Sequence, residues 1–361
     1  RPTSQPNRMA AAPGVALMCH PKFAEQIQAL LSTDRIDLDR TITQLSKFPL
    51  FIDALTLSPL NDLDLERALR RVRKAFLLAV LDETVTTRNL ALYSAMAHQL
   101  FANEYVIDVD ADEVQSLRQL ENKIANRTHE RAHIDPLDLV ALAMYKPLYT
   151  CDGAEALSDR PWPPVVADIV TRQIAQPLHE RALRQQISSF AEVDDPCSQA
   201  VRQQYEENPY PRWIKIGKPH RAIGFAASLE HLPNWQIPTD FAPSAPPQVL
   251  IAGCGTGQQA LDVAANLSDA KVLAVDLSLS SLSYAEHKTQ ELGLTNIEYM
   301  QGDILRLDTL GRSFDMIESV GVLHHMADPV AGWRVLVDLL RPRGFMKIGL
   351  YSEQARQAVL K

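Results

Sequence analysis

The stretch Val249-Leu250-Ile251-Ala252-Gly253-Cys254-Gly255-Thr256-Gly257 decides the fold. Its first four residues form a short apolar run of the kind buried in a parallel sheet. Three glycines follow, and a helical pattern begins at about residue 258. Glycines at such a strand-to-helix turn let backbone N–H groups and the helix N-terminus come close to a ligand. Working downstream, β-rich runs at 271–275, 297–300, 316–319 and 345–350 alternate with helical patterns near 280–292 and 329–340. Alternating β and α units mean parallel strands with helices on both faces. Residues 248–361 are therefore expected to form a doubly wound, Rossmann-like α/β domain.

Upstream, glycine is nearly absent: Gly14 and Gly153 alone precede residue 200, and the other twelve of the fourteen lie from Gly217 onward. A glycine-poor stretch with 3.6-residue apolar periodicity reads as helix. Phe23, Ile27, Leu30 and Leu31 share one helix face behind Pro21. Leu65, Leu69, Val72, Phe76 and Val80 line another, capped by Asn61 or Asp62. Leu117, Leu120 and Ile124 mark a third helix, and Asp135-Pro136 opens a fourth. Arg70, Arg71, Arg73 and Lys74 fall mostly opposite the apolar stripe and are expected to be solvated. Residues 20–195 are thus expected to be an all-helical domain behind a disordered leader, 1–19. Six prolines between 219 and 247 remove ladder donors and fix φ. Residues 196–247 are accordingly expected to hold a lid segment and an extended Pro-rich linker. The opening Arg1-Pro2-Thr3, without Met, suggests a fragment or a processed product.

The 361 residues are 46% hydrophobic and 22% charged, an ordinary globular composition with room for about two domains. No apolar run approaches the ~18 residues of a spanning helix, so no membrane role is expected. A net charge of −8 argues against a nucleic-acid partner held by broad phosphate neutralisation. Four widely spaced cysteines supply neither a disulfide framework nor a zinc spacing, and a cytoplasmic setting is the expectation.

Asp276 closes the second strand of the α/β domain, nineteen residues past Gly257, where a carboxylate can accept both hydroxyls of a ribose. The dinucleotide fingerprint puts its third glycine three residues after the second. Gln258 stands there, and the glycine comes one residue early at Gly257. A nicotinamide-dependent oxidoreductase is the disfavoured alternative.

Over roughly residues 246–352 the motifs resemble, in order, those of the class I S-adenosylmethionine-dependent methyltransferases. Gly253-Cys254-Gly255-Thr256-Gly257 resembles the cofactor loop, and Gln301-Gly302-Asp303-Ile304 the segment that reaches the adenine amino group. Phe314-Asp315 through Glu318-Ser319-Val320-Gly321-Val322-Leu323-His324-His325 resembles the fourth-strand motif, and Leu340-Arg341-Pro342-Arg343-Gly344 the turn before the fifth strand. The resemblance implies S-adenosyl-L-methionine as cofactor and no metal. Ala252, Gly253, Cys254, Gly255 and Gly257 would form its loop, and Asp276 with Leu277 its ribose site. Gly302, Asp303 and Ile304 would hold the adenine, while Ser319 and Val320 face the methionine end. His324 and His325 would stand beside the methyl group, where an imidazole suits a general base. Methyl transfer would proceed by in-line displacement to an O or N acceptor on a protein or small molecule. The acid common among relatives at the Ala252 position is absent. The family's last two strands are not found before Lys361, so the sheet is expected to be C-terminally incomplete, by truncation or by being completed differently.

Val201-Arg202-Gln203-Gln204-Tyr205-Glu206-Glu207-Asn208-Pro209-Tyr210-Pro211-Arg212-Trp213 resembles the segment before this domain in bacterial tetratricopeptide-repeat-associated methyltransferases, as does Tyr351-Ser352-Glu353 after it. Tyr205, Tyr210, Arg212 and Trp213 are candidates for a lid or an acceptor wall. Asn208-Pro209-Tyr210 lies before the first strand, so it reads as a turn or lid rather than an amine-binding motif. His129-Glu130-Arg131-Ala132-His133 matches a zinc-peptidase pattern, but Pro136 and the charged flanks favour a surface helix. Cys254 has no evident activating base and reads as a small loop residue. The second alternative is an S-adenosylmethionine-binding interaction module without catalysis.

Overall fold

Apolar spacing and polar caps build the first half of the chain. The computed structural model describes residues 16–57, 60, 62–207, 209, 211–216, 222–230 and 241–352. The chain divides into two compact units, Arg1–Leu178 and His179–Lys361. The first contains helices α1 (Pro21–Ser32), α2 (Leu38–Leu45), α3 (Pro49–Leu57), α4 (Leu63–Leu81), α5 (Leu90–Ala102), α6 (Ala111–His129), α7 (Pro136–Ala143), α8 (Ala154–Ser158) and α9 (Pro164–Val170). Asp62 caps α4 by accepting from Leu65 N, and Asp135 caps α7 by accepting from Leu137 N. Asp110 and Glu113 form a reciprocal capping box at α6. Phe23, Ile27, Leu65, Val72, Phe76 and Leu120 are buried in one core, where Phe76 stacks on Tyr93 with ring centroids 3.9 Å apart. Leu17, read from the sequence as leader, is buried in it too.

Of the basic cluster on α4, Arg70 is exposed as expected, but the other three are not a solvated face. Arg73 is fully buried, and its guanidinium donates to Ile107 O (3.3 Å), Asp108 O (2.6 Å) and Glu113 Oε1 (3.1 Å). Arg71 donates to Leu31 O (2.8 Å) and Thr33 O at the end of α1, and Lys74 pairs with Asp110 at 2.6 Å. The reason is that α4 packs against α1, α6 and α7 together, so its polar side also meets protein. The zinc-like pattern is not one helical surface either: α6 ends at His129, and Arg131 turns left-handed at φ 54°. His129 and His133 are therefore not stacked one turn apart.

The second unit holds α10 (Gln176–Arg184, which begins at the boundary), β1 (Ser188–Ser189), α11 (Pro196–Glu207) and α12 (Phe225–Glu230). The main α/β run follows as β2 (Gln248–Ala252), α13 (Gln258–Asn266), β3 (Lys271–Asp276), α14 (Leu279–Leu292), β4 (Ile297–Gln301), β5 (Phe314–Val320), α15 (Pro329–Asp338) and β6 (Leu340–Gly349). The strands are parallel in the order β1-β4-β3-β2-β5-β6. Val249 and Ile251 pack into one core with Val272, Ala274 and Leu282, while Leu250 and Ala252 pack into the other with Leu273, Val275 and Ile317. Apolar residues on both faces of β2 and β3 are what a parallel sheet covered on both sides requires.

The Pro-rich stretch is not extended throughout. The proline-free residues between 220 and 232 include α12, whose Phe225 and Leu229 are buried. Asp269 accepts from Phe225 N at 2.7 Å and starts that helix. At the stretch's end, buried Asp315 accepts from Ser244 N (3.0 Å) and Gln248 N (2.8 Å), fixing the entry into β2. Strand order reverses between β2 and β5, and the crevice beyond their carboxyl ends is where open α/β sheets bind ligands.

Candidate active site

The Gly253–Gly257 turn leaves β2 at that crevice. Gly253 N and Cys254 N both donate to Val275 O, at 2.8 and 3.0 Å, so the turn is stitched to β3. Gly253 and Gly257 have φ of 78° and 81°, a left-handed backbone that disfavours side chains. A Cβ at Gly253 would overlap Val322, and one at Gly257 would overlap Ala285. Gly255 N donates to Asp276 Oδ2 at 2.7 Å. Cys254 is buried, which pushes its thiol far above the ordinary range and leaves it a poor nucleophile. Ala252 is buried beneath the turn.

Asp276 Oδ1 accepts from Ser278 N at 3.0 Å. Burial lifts its carboxyl above the ordinary range, opposed by the N–H groups of Ser278, Gly255 and Leu277 and reinforced by the Glu206 charge. Leu277 O accepts from Gln301 Nε2 at 2.9 Å. Gly302 N donates to Asp276 O at 3.1 Å, joining the ends of β3 and β4. Asp303 is buried, and its Oδ1 accepts from Leu305 N at 3.0 Å at the head of a short 3-10 turn begun by Ile304. The ring of Phe190, the residue after β1, fills the space a Cβ at Gly302 would take.

Ser319 is the next-to-last residue of β5, with its Oγ buried and, among the described residues, without a hydrogen-bond partner. Val320 beside it is 38% exposed. Beyond it, the His324 and His325 rings lie 4.2 Å apart, with the Tyr351 ring 4.0 Å from that of His324. Cys197 Sγ on α11 donates to His325 O at 3.2 Å.

At the other end of α11, Tyr205 O accepts from Ser278 Oγ at 2.9 Å, which sets Tyr205 beside the Asp276 turn. Trp213 is buried: its Nε1 donates to Thr256 O at 2.9 Å and its carbonyl accepts from Tyr284 OH. Thr256 Oγ1 donates to Pro211 O at 2.6 Å, so the 211–213 segment braces the glycine turn from outside. Arg212 sits 5.9 Å from the Tyr284 ring centroid. Tyr210, with Asn208, lies outside the described residues.

The glycine turn, Asp276, Leu277, Gly302, Asp303, Ile304, Ser319 and Val320 thus all stand at the carboxyl ends of β2 to β5, with the two histidines adjoining. Sequence reasoning missed Glu206, Phe190 and Tyr351 as site neighbours. Glu206 and Tyr351 lay within motifs already singled out. Nothing local marks Phe190, since the β1 pairing with β4 that carries it spans Ser188 to Met300.

Residues 249–344 match the family model described as a methyltransferase domain. The chain is 33% identical over 185 residues to an uncharacterized protein, syc1184_c, of Synechococcus sp., covering 49% of this chain and 42% of that one. That alignment is longer than the family match, so the likeness reaches outside the domain. It is 30% identical over 119 residues to a ubiquinone biosynthesis O-methyltransferase of Albidiferax ferrireducens, covering 33% of this chain and 46% of that enzyme. It is 34% identical over 101 residues to a trans-aconitate 2-methyltransferase of Deinococcus radiodurans, covering 28% and 36%. The chain spans less than half the length of each of these relatives.

Proposed function

We propose that this chain, whose second unit carries a class I methyltransferase domain, transfers a methyl group from S-adenosyl-L-methionine to an O or N acceptor. The observation that carries the reading is the glycine turn pinned to the Asp276 carboxylate at the strand-order reversal, within the matched domain. The residues present fit the cofactor. Asp276 accepts one backbone N–H on each oxygen and Asp303 one on Oδ1, and because a carboxylate oxygen has two lone pairs both keep acceptor capacity for ribose hydroxyls and an adenine amine. The orphaned Ser319 Oγ is a buried polar group in need of a partner at the methionine end.

When bound, the sulfonium supplies an already activated methyl group, so the protein's work is orientation and exclusion of water. Gly253, Gly255 and Gly257 admit the cofactor close to the backbone, Asp276 orients the ribose, and Asp303 the adenine. Ser319 and Val320 face the amino-acid end. His324 or His325 is the candidate base that takes the acceptor proton, with Tyr351 packed beside them. Tyr205 and Arg212 would border the crevice, with Trp213 as their support. The acceptor belongs to a protein or a small molecule. Among the described residues no helix is long and apolar enough to cross a membrane, and a cytoplasmic setting is part of this proposal. So is kinship with the tetratricopeptide-repeat-associated group, supported by the Tyr205–Trp213 stretch.

The test is calorimetric titration of S-adenosylhomocysteine into the full chain, with Asp276→Ala and NADH as controls. Micromolar binding, lost in Asp276→Ala and absent for NADH, is expected. A folded wild type that ignores S-adenosylhomocysteine would refute the reading.

A further inference from the structure

We propose that Glu206 is a positioning residue of the cofactor site, tying α11 to the N-terminus of α14 and so holding the Asp276 turn in its binding shape. The inference rests on the methyltransferase reading above and extends it to a residue given no role within the Val201–Trp213 motif.

Three successive N–H groups open α14, and two carboxylates divide them. Ser278 N donates to Asp276 Oδ1 at 3.0 Å. Leu279 N and Ser280 N donate to the Glu206 carboxylate at 2.6 and 3.2 Å. Ser280 Oγ adds a further bond to Glu206 Oε2 at 2.8 Å. Arg184 of α10 donates to the same oxygen. Helix α14 does not need Glu206 as a cap, because Ser278 already accepts from Ser281 N at 3.1 Å. Glu206 comes instead from 73 residues upstream and meets the helix dipole as an extra anion, stabilised there by the exposed N–H groups and by Arg184.

Its neighbour Tyr205 repeats the link through Ser278 Oγ, and the one Ser280 hydroxyl proton is shared between Glu206 Oε2 and Glu206 O, the latter 2.9 Å away. The C-terminal end of α11 is therefore fastened at several points to the turn that carries the ribose acid. Its N-terminal end touches the other side of the crevice through the Cys197 Sγ to His325 O contact. A helix of twelve residues reaches ~18 Å, enough to join the two sides. The strong fastening lies at the ribose end and the weak one at the histidine end.

The test compares wild type with the near-isosteric Glu206→Gln, in the full chain, by stopped-flow dissociation of S-adenosylhomocysteine and by its affinity across pH. Unfolding without ligand serves as the control. Among the described residues, the Glu206 charge and the Cys254 thiol act on Asp276, and Arg184 of α10 pairs with Glu206 rather than with Asp276. Glu206→Gln is expected to release S-adenosylhomocysteine about tenfold faster or more while remaining folded. Affinity should also persist to lower pH than in wild type, because the negative neighbour that helps keep the Asp276 carboxyl high is gone. A purely structural residue would not move that acid limb. An unchanged dissociation rate and an unchanged acid limb would overturn the proposal. If Glu206→Gln does not fold, Arg184→Gln takes its place, since it leaves Glu206 on α14 but removes the partner of its charge. Faster release then supports the assignment, and an unchanged rate overturns it. Wild type that fails to bind S-adenosylhomocysteine would sink the methyltransferase reading itself, a separate outcome.

Discussion

Replacing Arg73 with Met should test how the helical unit is held together. The Arg73 and Glu113 side chains are 0% and 1% exposed and 3.1 Å apart, so neither charge is shared with water. Glu113 Oε1 also accepts from Tyr145 OH at 2.6 Å, and Oε2 accepts from Asp110 N at 3.1 Å as half of the α6 capping box. The guanidinium lies 4.3 Å from the Tyr145 ring centroid and serves the carbonyls of Ile107 and Asp108. Burial and the Glu113 bond push the Tyr145 hydroxyl well above its ordinary range, so it stays a neutral donor. Arg73→Met keeps most of the volume but strands a buried carboxylate and two carbonyls. Breaking such a pair from one side costs about 3–5 kcal/mol. At roughly 2–4 °C per kcal/mol for a unit of this size, the helical transition should fall by about 6–20 °C. Calorimetry on the full chain reads this, provided the transitions of the two units are resolved. Adding Glu113→Gln removes the second charge while keeping the capping box and a Tyr145 partner, and should restore at least about 1 kcal/mol. A loss below about 1 kcal/mol in the single variant, the range of exposed pairs, would refute the claim that this pair is desolvated. So would a double variant as unstable as the summed single changes.

Other outcomes follow from the second unit. Gly257→Ala must place a Cβ 2.8 Å from Leu261 Cδ1 and 3.2 Å from Ala285 Cα at φ 81°, and left-handed strain alone costs about 1–2 kcal/mol. It should lower thermal stability and abolish S-adenosylhomocysteine binding in calorimetry; unchanged binding would show that the turn tolerates a side chain. Asp315→Ala leaves Ser244 N and Gln248 N without their acceptor, and should cost about 2–4 kcal/mol in denaturant unfolding. Glu180 is half-buried, and burial lifts its carboxyl from 4.5 to about 7, against the charges of Arg212, Lys288 and His179. A raised acid binds its proton more tightly when folded, so its contribution is full below about pH 4.5 and lost as pH climbs through 7. Glu180→Gln should therefore stabilise the protein by about 1–3 kcal/mol at pH 8 and do nothing at pH 4. Equal effects at both pH values would refute that environment.

Much of the fold was legible because its signals are local. The strand runs of the α/β domain, the helices starting at Pro21 and Pro136, and the Asp62 and Asp135 caps all lie within a few residues of what they specify. The candidate cofactor residues were legible for a related reason. Each sits at a strand end or turn, where glycine or a carboxylate is demanded by backbone geometry. What failed were readings that needed a neighbour from elsewhere. Arg73 was placed on a solvated face because helical periodicity describes one helix, whereas α6 and the 107–108 backbone close over its other side. The 219–247 stretch was read as extended because proline density masked a proline-free window that Asp269 caps from 44 residues away.

The amino-acid sequence alone determined a glycine turn between strand and helix, an acid at the end of the next strand, and an α/β pattern behind a helical one. These depend on φ, ψ and the repeat of side chains along a single element, which neighbouring residues dictate. Only the tertiary structure decided that Glu206 would meet the N–H groups of α14, that Phe190 would fill the space at Gly302, and that Trp213 would brace the glycine turn rather than stand free. Those contacts join residues 43 to about 110 positions apart, and their energy comes from burying charge, ring and backbone dipole together. No local pattern encodes which distant partner arrives, because the partner is chosen by how the whole sheet and its helices pack.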